Sequence, residues 1–277
     1  MKVNHHVRII LFASFLPLFA QSQTDSSGKG TSTFKLGLYY NSHLNYYGRT
    51  DSLRSSGIFP IAELWLDKHY YITAAPVFVH NTVSDLDYAG TVVTAGYMFR
   101  NNKWAGNTYL VKPIYKANSQ LVQSALKFQA TSTFSWLNKY INVSAGGDIK
   151  YSDKLDYGVT AGLDHLFRFE PGEMVLVIDP SVYINAGTQQ FTKTSYKQSG
   201  FLFFPGTLQQ VNEEVMKFVI LSWELSMPVV VAKGKFQFIL NPAYVLPKNL
   251  VMVPSRPDLS ERGKDMFYIT AGAKVSF

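Results

Sequence analysis

Hydrophobic residues recur at every second position along most of the chain. In "MFYITAGAKVSF", residues 266–277, Phe267, Ile269, Ala271, Ala273, Val275 and Phe277 share one face, and Tyr268, Thr270, Gly272, Lys274 and Ser276 share the other. Side chains of a β-strand point alternately to opposite faces, so this period of two predicts strands. Twelve segments show it, at 33–41, 57–67, 69–80, 88–99, 103–115, 122–137, 139–150, 155–168, 173–187, 217–229, 235–246 and 265–277. Each runs about 9 to 16 residues, longer than the five or six usual in soluble domains. None carries helical periodicity, which makes this an all-β chain.

The connections alternate in length. Five are short, "LDKHY", "FRNNKW", "WLNKYI", "FRFEPGEM" and "VAKGKF", and hold the Asp, Asn, Gly and Pro that tight hairpins need. Between them fall longer links at 42–56, 81–87, 116–121, 151–154, 188–216 and 247–264. Antiparallel strands joined this way put every short turn, and both chain ends, on one side. An even strand number with short turns on one side and long loops on the other is the layout of an outer-membrane barrel. Aromatics flank the short turns, Trp65 with Tyr70, Phe99 with Trp104, Trp136 with Tyr140 and Phe167 with Phe169, where a ring can sit half wet at a membrane boundary.

Face chemistry separates this reading from a soluble barrel or sandwich. In "YGVTAGLDHLFRF" one face is Tyr157, Val159, Ala161, Leu163, His165 and Phe167, and the other is Gly158, Thr160, Gly162, Asp164, Leu166 and Arg168. A soluble barrel of this width needs a large apolar interior, whereas here the second face is small and polar, as a lumen is. The chain resembles the Gram-negative outer-membrane β-barrel class, on the strength of its layout and of the alternating "FYITAGAKVSF" that ends on Phe277. The style is similar to that of small barrels of Bacteroidota-type bacteria. The resemblance implies that Phe277 is a C-terminal assembly signal, read by the barrel-assembly machinery, and that lipid and lipopolysaccharide surround the protein.

The first twenty residues, with a basic "MKVNHHVR" and an apolar "IILFASFLPLFA", read as a secretory signal peptide. Residues 21–32 then form a short periplasmic segment and 33–277 the barrel, with both termini in the periplasm. No cysteine is present, which excludes disulfides, thiolate metal sites and cysteine nucleophiles. Lys and Arg outnumber Asp and Glu by seven, but the basic residues are scattered. No polybasic run or nucleic-acid motif points to nucleic acid as a partner. After the signal no apolar run is long enough for a transmembrane helix.

Pro76, Pro113, Pro180 and Pro242 lie inside expected strands, each in a strand rising from a short turn. A proline lacks the N–H that a sheet ladder uses. They either mark a ring of bulges, with Ala75, Lys112, Asp179 and Asn241 as one lumen layer, or end the regular sheet where the loops begin. Charged groups facing lipid near the midplane are costly, so the charged residues of each strand set its phase. That places Lys35, Glu63, Lys112, Lys127, Asp148, Lys150, Asp164, Asp179, Glu224, Lys235, Asn241 and Lys274 in the lumen. Ion-paired they fill the interior; spread around water they make a weakly selective pore.

Parts for catalysis are sparse. His80 with Asp85 and Asp87 in "HNTVSDLD" resembles the acid-and-histidine rim of barrel proteases, but no second pair faces it. Asp164 and His165 point to opposite faces, no serine has a histidine and acid at readable spacing, and no metal-ligand cluster or cofactor motif occurs. Loop 188–216 contains "SGFLFFPG", an apolar stretch that suits a plug in the mouth or a contact with a protein partner. The loop "PKNLVMVPSRPDLSERGK" carries cations that suit lipopolysaccharide phosphates or plain solvation. The expected function is porin-like passage of small solutes. The alternatives are a lumen-blocked structural or partner-binding barrel and an outer-membrane hydrolase.

Overall fold

The computed structural model describes residues 32–50, 53–83, 85–116, 126–152, 155–188, 218–250, 252 and 261–277. The expected signal peptide, and the expected plug at 188–216, lie outside the described residues apart from Thr188. Twelve antiparallel strands follow one another among the described residues. The first six are β1 Thr33–Asn41, β2 Ser56–Leu66, β3 Tyr70–His80, β4 Asp87–Arg100, β5 Trp104–Tyr115 and β6 Phe128–Trp136. Then come β7 Asn142–Tyr151 and β8 Leu155–Asp164, the latter resuming as Phe167–Phe169. Strand β9 runs Met174–Ile178 and Ser181–Gly187, and β10 runs Val219–Ser226 and Val229–Lys233. Strands β11 Phe236–Pro247 and β12 Met266–Ser276 complete the wall.

Each strand pairs with its neighbours in the sequence, and β1 pairs with β12 from Lys35↔Ser276 to Asn41↔Thr270. The seam is extended by Phe277, whose N–H donates to the Phe34 carbonyl at 2.8 Å while the two rings lie 6.1 Å apart. The sheet is closed and has no free edge. The tight turns follow backbone chemistry: Asp67 and Lys68 both take positive φ, 55° and 62°, between β2 and β3, the conformation of a two-residue hairpin turn.

The outward face is apolar. Leu36, Leu38, Ile72, Leu110, Ile114, Phe238 and Leu240 are all large and exposed, a surface that only lipid tails solvate favourably. Near the short turns Tyr70, Trp104, Trp136, Phe169 and Phe277 stay exposed and mark one edge of the band. The chain is a transmembrane β-barrel of the outer-membrane type. Trp65 departs from the expected girdle: it is 5% exposed and points inward, because its parity on β2 is that of Glu63.

The four prolines do not share one layer. Pro76, Pro180 and Pro242 lie on the outward parity, opposite in face to the buried Ala75, Asp179 and Asn241, whereas Pro113 itself lines the lumen. Pro180 and Pro228 belong to a line of interruptions across β8 to β10, which ends against Pro242 of the unbroken β11. His165 N–H donates to the Pro180 carbonyl at 3.2 Å, Asp179 N–H to Pro228 at 3.0 Å, and Met227 N–H to Pro242 at 3.0 Å. The ladder is thus carried across each break by the residue next to it.

Inside, large rings lie over glycines of the adjacent strand. A Cβ on Gly96 would fall 2.4 Å from the Tyr71 ring, and one on Gly272 would fall 2.3 Å from the Tyr39 ring. The Tyr71 hydroxyl donates to Asn107 Oδ1 at 3.0 Å, tying β3 to β5 across β4. Gly96→Val should therefore displace Tyr71 and lower barrel stability by about 2 kcal/mol. The urea midpoint of the heat-dependent gel-mobility shift measures this, and an unchanged midpoint would show that Tyr71 is not held there.

Candidate functional site

The inward positions enclose a lumen cavity of about 370 Å³. Its charged groups fall into separate clusters. On β1, β2 and β12, Lys274 Nζ donates to Glu63 Oε1 at 2.7 Å, and Trp65 Nε1 donates to Glu63 Oε2 at 3.0 Å. Register places these groups together, since Lys35 lies opposite Glu63 and Gly37 opposite Lys274. Lys35 Nζ sits 4.9 Å from the centre of the Trp65 ring, a cation–π contact.

On β7 to β9, Asn142 Nδ2 donates to Asp164 Oδ2 at 2.6 Å, and Asp179 lies within hydrogen-bond reach of Asp164. Higher up, Tyr268 donates its hydroxyl to Glu224 Oε1 at 2.9 Å. Asp148 and Lys150 form an ion pair on β7.

The link between β1 and β2 folds inward. Asn45–Tyr46 pairs with Arg49–Thr50 as a small hairpin, turned through Tyr47 at φ 51° and Gly48 at φ 78°. Gly48 abuts the Pro247 ring, which a Cβ would approach to 2.8 Å. The Gly48 N–H donates to Asn45 Oδ1 at 3.1 Å.

Arg49, only 1% exposed, pins the hairpin to the rim formed by β10 to β12. Its Nε donates to Glu261 Oε2 at 3.1 Å, Nη1 to the Leu221 carbonyl at 3.1 Å, and Nη2 to the Lys248 carbonyl at 3.0 Å. A planar guanidinium serves such a set of acceptors in fixed directions, as a lysine does not.

At the other end the Tyr46 and Tyr47 rings lie 6.0 Å and 5.9 Å from Lys150 Nζ. Strand β7 is six strands from β1 either way around the wall, so the hairpin crosses the mouth. Burial pushes both tyrosine hydroxyls above the usual phenol range.

Of the residues assigned to the lumen from sequence, Lys35, Glu63, Asp148, Lys150, Asp164, Asp179, Glu224, Asn241 and Lys274 have inward parity. Lys112 does not. It is exposed on the outer face, while Val111 and Pro113 beside it line the lumen. It is the fourth residue from the loop end of β5, where a long side chain can reach the boundary, so its charge was a poor guide to phase.

Lys127 precedes β6 and is exposed at the rim, its Nζ 5.7 Å from the outward Tyr151 ring. Lys235 is exposed in the turn between β10 and β11. His80 Nδ1 contacts the Asp85 carbonyl, not its carboxylate, and Asp87 pairs at 3.4 Å with exposed Lys116. The inner hairpin was missed as a site. Its signal was Leu44, Tyr46 and Tyr47 beside a single Gly48-Arg49 in an otherwise ordinary loop.

No family model and no curated protein matches the chain. Solved structures with a similar layout include the KdgM porin, with 7% identity over 88% of this chain and 99% of that one and a TM-score of 0.48. An outer-membrane channel from Pseudomonas putida F1 shows 12% identity over 90% and 97%, with a TM-score of 0.46. LpxR from Salmonella typhimurium shows 10% identity over 87% and 99%, with a TM-score of 0.44. At these values the likeness carries nothing about activity, which has to rest on the lumen's own residues.

Lys274→Met removes one positive charge and leaves Glu63 without its ion-pair partner, so the lumen becomes more negative. Reversal potentials under a salt gradient should shift toward cation preference, whereas Lys112→Glu on the outer face should leave them unchanged. The opposite ranking of the two variants would invert this assignment of faces.

Proposed function

We propose that the protein is a channel for small solutes across the outer membrane, narrowed at its mouth by the hairpin at 45–50. The observation that carries this reading is the lumen itself: a cavity lined by both apolar and polar side chains, bounded by a closed wall, with a pinned hairpin across one end. A barrel serving only as an anchor has no need of a buried arginine that holds a loop inside its mouth. The ion pairs Glu63–Lys274 and Asp148–Lys150 offset charge within the passage, which favours weak ion selectivity over strong.

A second reading has its own support. Leu44 and Tyr46 are 1% and 3% exposed, a degree of burial that also suits a sealed, partner-binding barrel. A hydrolase finds less support, because His80 is engaged by a backbone carbonyl and the two acids near it face solvent.

Planar-bilayer recording separates these readings. The folded protein should give ohmic single-channel steps, and Arg49→Ala should give larger and noisier steps because the hairpin loses its anchor. A folded barrel with no steps in either form would favour the sealed reading.

A further inference from the structure

We propose that the outer wall of β5 to β7 seats a phosphate-bearing glycolipid of the outer leaflet, the lipid A end of lipopolysaccharide, on Lys112 and Lys127. Lys112 is an outlier on the lipid-facing surface. It lies outward and exposed between Leu110 and Ile114, which are themselves 48% and 55% exposed. No carboxylate pairs with it among the described residues. Its height sets the leaflet it meets. Lys112 stands eight residues above Trp104, the boundary aromatic at the short-turn end of the same strand. At roughly 2.5 Å of height per tilted residue that is about 20 Å, close to the loop-side edge of an apolar band about 25 Å tall.

Register brings a second cation beside it. One step beyond the Val111↔Gln129 pair, Lys112 comes level with Phe128, and Lys127 is the residue next to Phe128. Phe128 pairs in turn with Tyr151, whose outward ring lies 5.7 Å from Lys127 Nζ. The two lysines thus share one stretch of rim, with the exposed Phe128 and Tyr151 rings at the same level. On the adjoining stretch Asp87 is taken by Lys116 at 3.4 Å, and the sequence from 117 to 126 contains no acidic residue. A single lysine near the boundary can reach water along its own stem. Two on neighbouring strands repel each other, and an anion held between them relieves that repulsion.

The wall below supplies a seat for the rest of a lipid. Ala130 lies level with Leu110 and Ile149, and Ser132 lies level with Thr108 and Gly147. Leu110 and Ile149 are large and exposed, so β6 forms a low track between them that descends from the lysines. An acyl chain suits that track while its phosphate stays with the cations, each of which offers three N–H donors. A free phosphate ion would use the lysines alone and leave the track unexplained.

Native mass spectrometry of the folded barrel in detergent, titrated with bisphosphorylated lipid A, tests this. The unmodified protein should retain lipid A, and Lys112→Gln and Lys127→Gln should each weaken retention about fivefold, as loss of one lysine at an anionic lipid surface does. Lys233→Gln, at the short-turn end of β10, removes the same charge and should change nothing. Each variant is first checked for the heat-dependent gel shift. Equal retention by all three variants, or equally tight binding of the dephosphorylated glycolipid, would overturn the site. Equally tight binding of phosphatidylglycerol would overturn the choice of lipid A, because any lipid phosphate would then serve.

Discussion

Backbone hydrogen bonding in hydrocarbon sets the terms for this molecule. A peptide N–H or C=O left open to lipid is several kcal/mol unfavourable, so each strand must find a partner on both sides. Closing β1 onto β12 meets that demand, and the rest follows from it. Closure makes an inside and an outside, and alternation then sorts every residue into one or the other. The breaks on β8, β9 and β10 obey the same constraint, because the residue at each break still donates across it. Interruption is tolerated where the ladder can be resumed one residue along.

The wall leaves a second problem, a space too wide for its own side chains to fill. The structure treats the two ends of that space differently. Near the short turns, ion pairs and rings lying over glycines reach in from the wall. At the loop end a separate piece of backbone is brought in, with its own hydrogen-bonded turn and a buried arginine to hold it. A buried charge is tolerable only when it is paired and fully hydrogen-bonded, and Arg49 has a carboxylate and three carbonyls around it. The same low-polarity setting makes those contacts directional and hard to exchange, which suits a loop that must keep one position in a passage.

Strand number, order and approximate ends were legible in the chain because the alternation is long and the short turns carry their own chemistry. The phase of a strand was legible where its faces differ strongly, as around Asp164 or Lys274. It failed at Lys112, where a single charge near the boundary was allowed to outweigh Val111 and Tyr109 on the same strand. Trp65 was assigned to the girdle on residue type, although its parity with Glu63 said otherwise. The hairpin was least legible of all. Its partners Leu221, Lys248 and Glu261 are remote in sequence, and no local pattern announces that a loop turns inward. Leu44, Tyr46 and Tyr47 were visible as apolar residues in a loop, but the destination they share depends on closure of the whole wall.

That remoteness has a consequence for the order of events. Arg49 and Glu261 stand 212 positions apart, and Glu261 lies just before β12. The hairpin is made early in synthesis, yet its anchor is absent until the final segment has taken its place beside the first. While the sheet is still open, Tyr46 and Tyr47 have no Lys150 to lie against, and Arg49 has only the neighbouring Tyr47 carbonyl in reach. The lock across the mouth can only be set last, so it serves as a seal on a completed wall. A barrel stalled one strand short is left with an unsecured entrance.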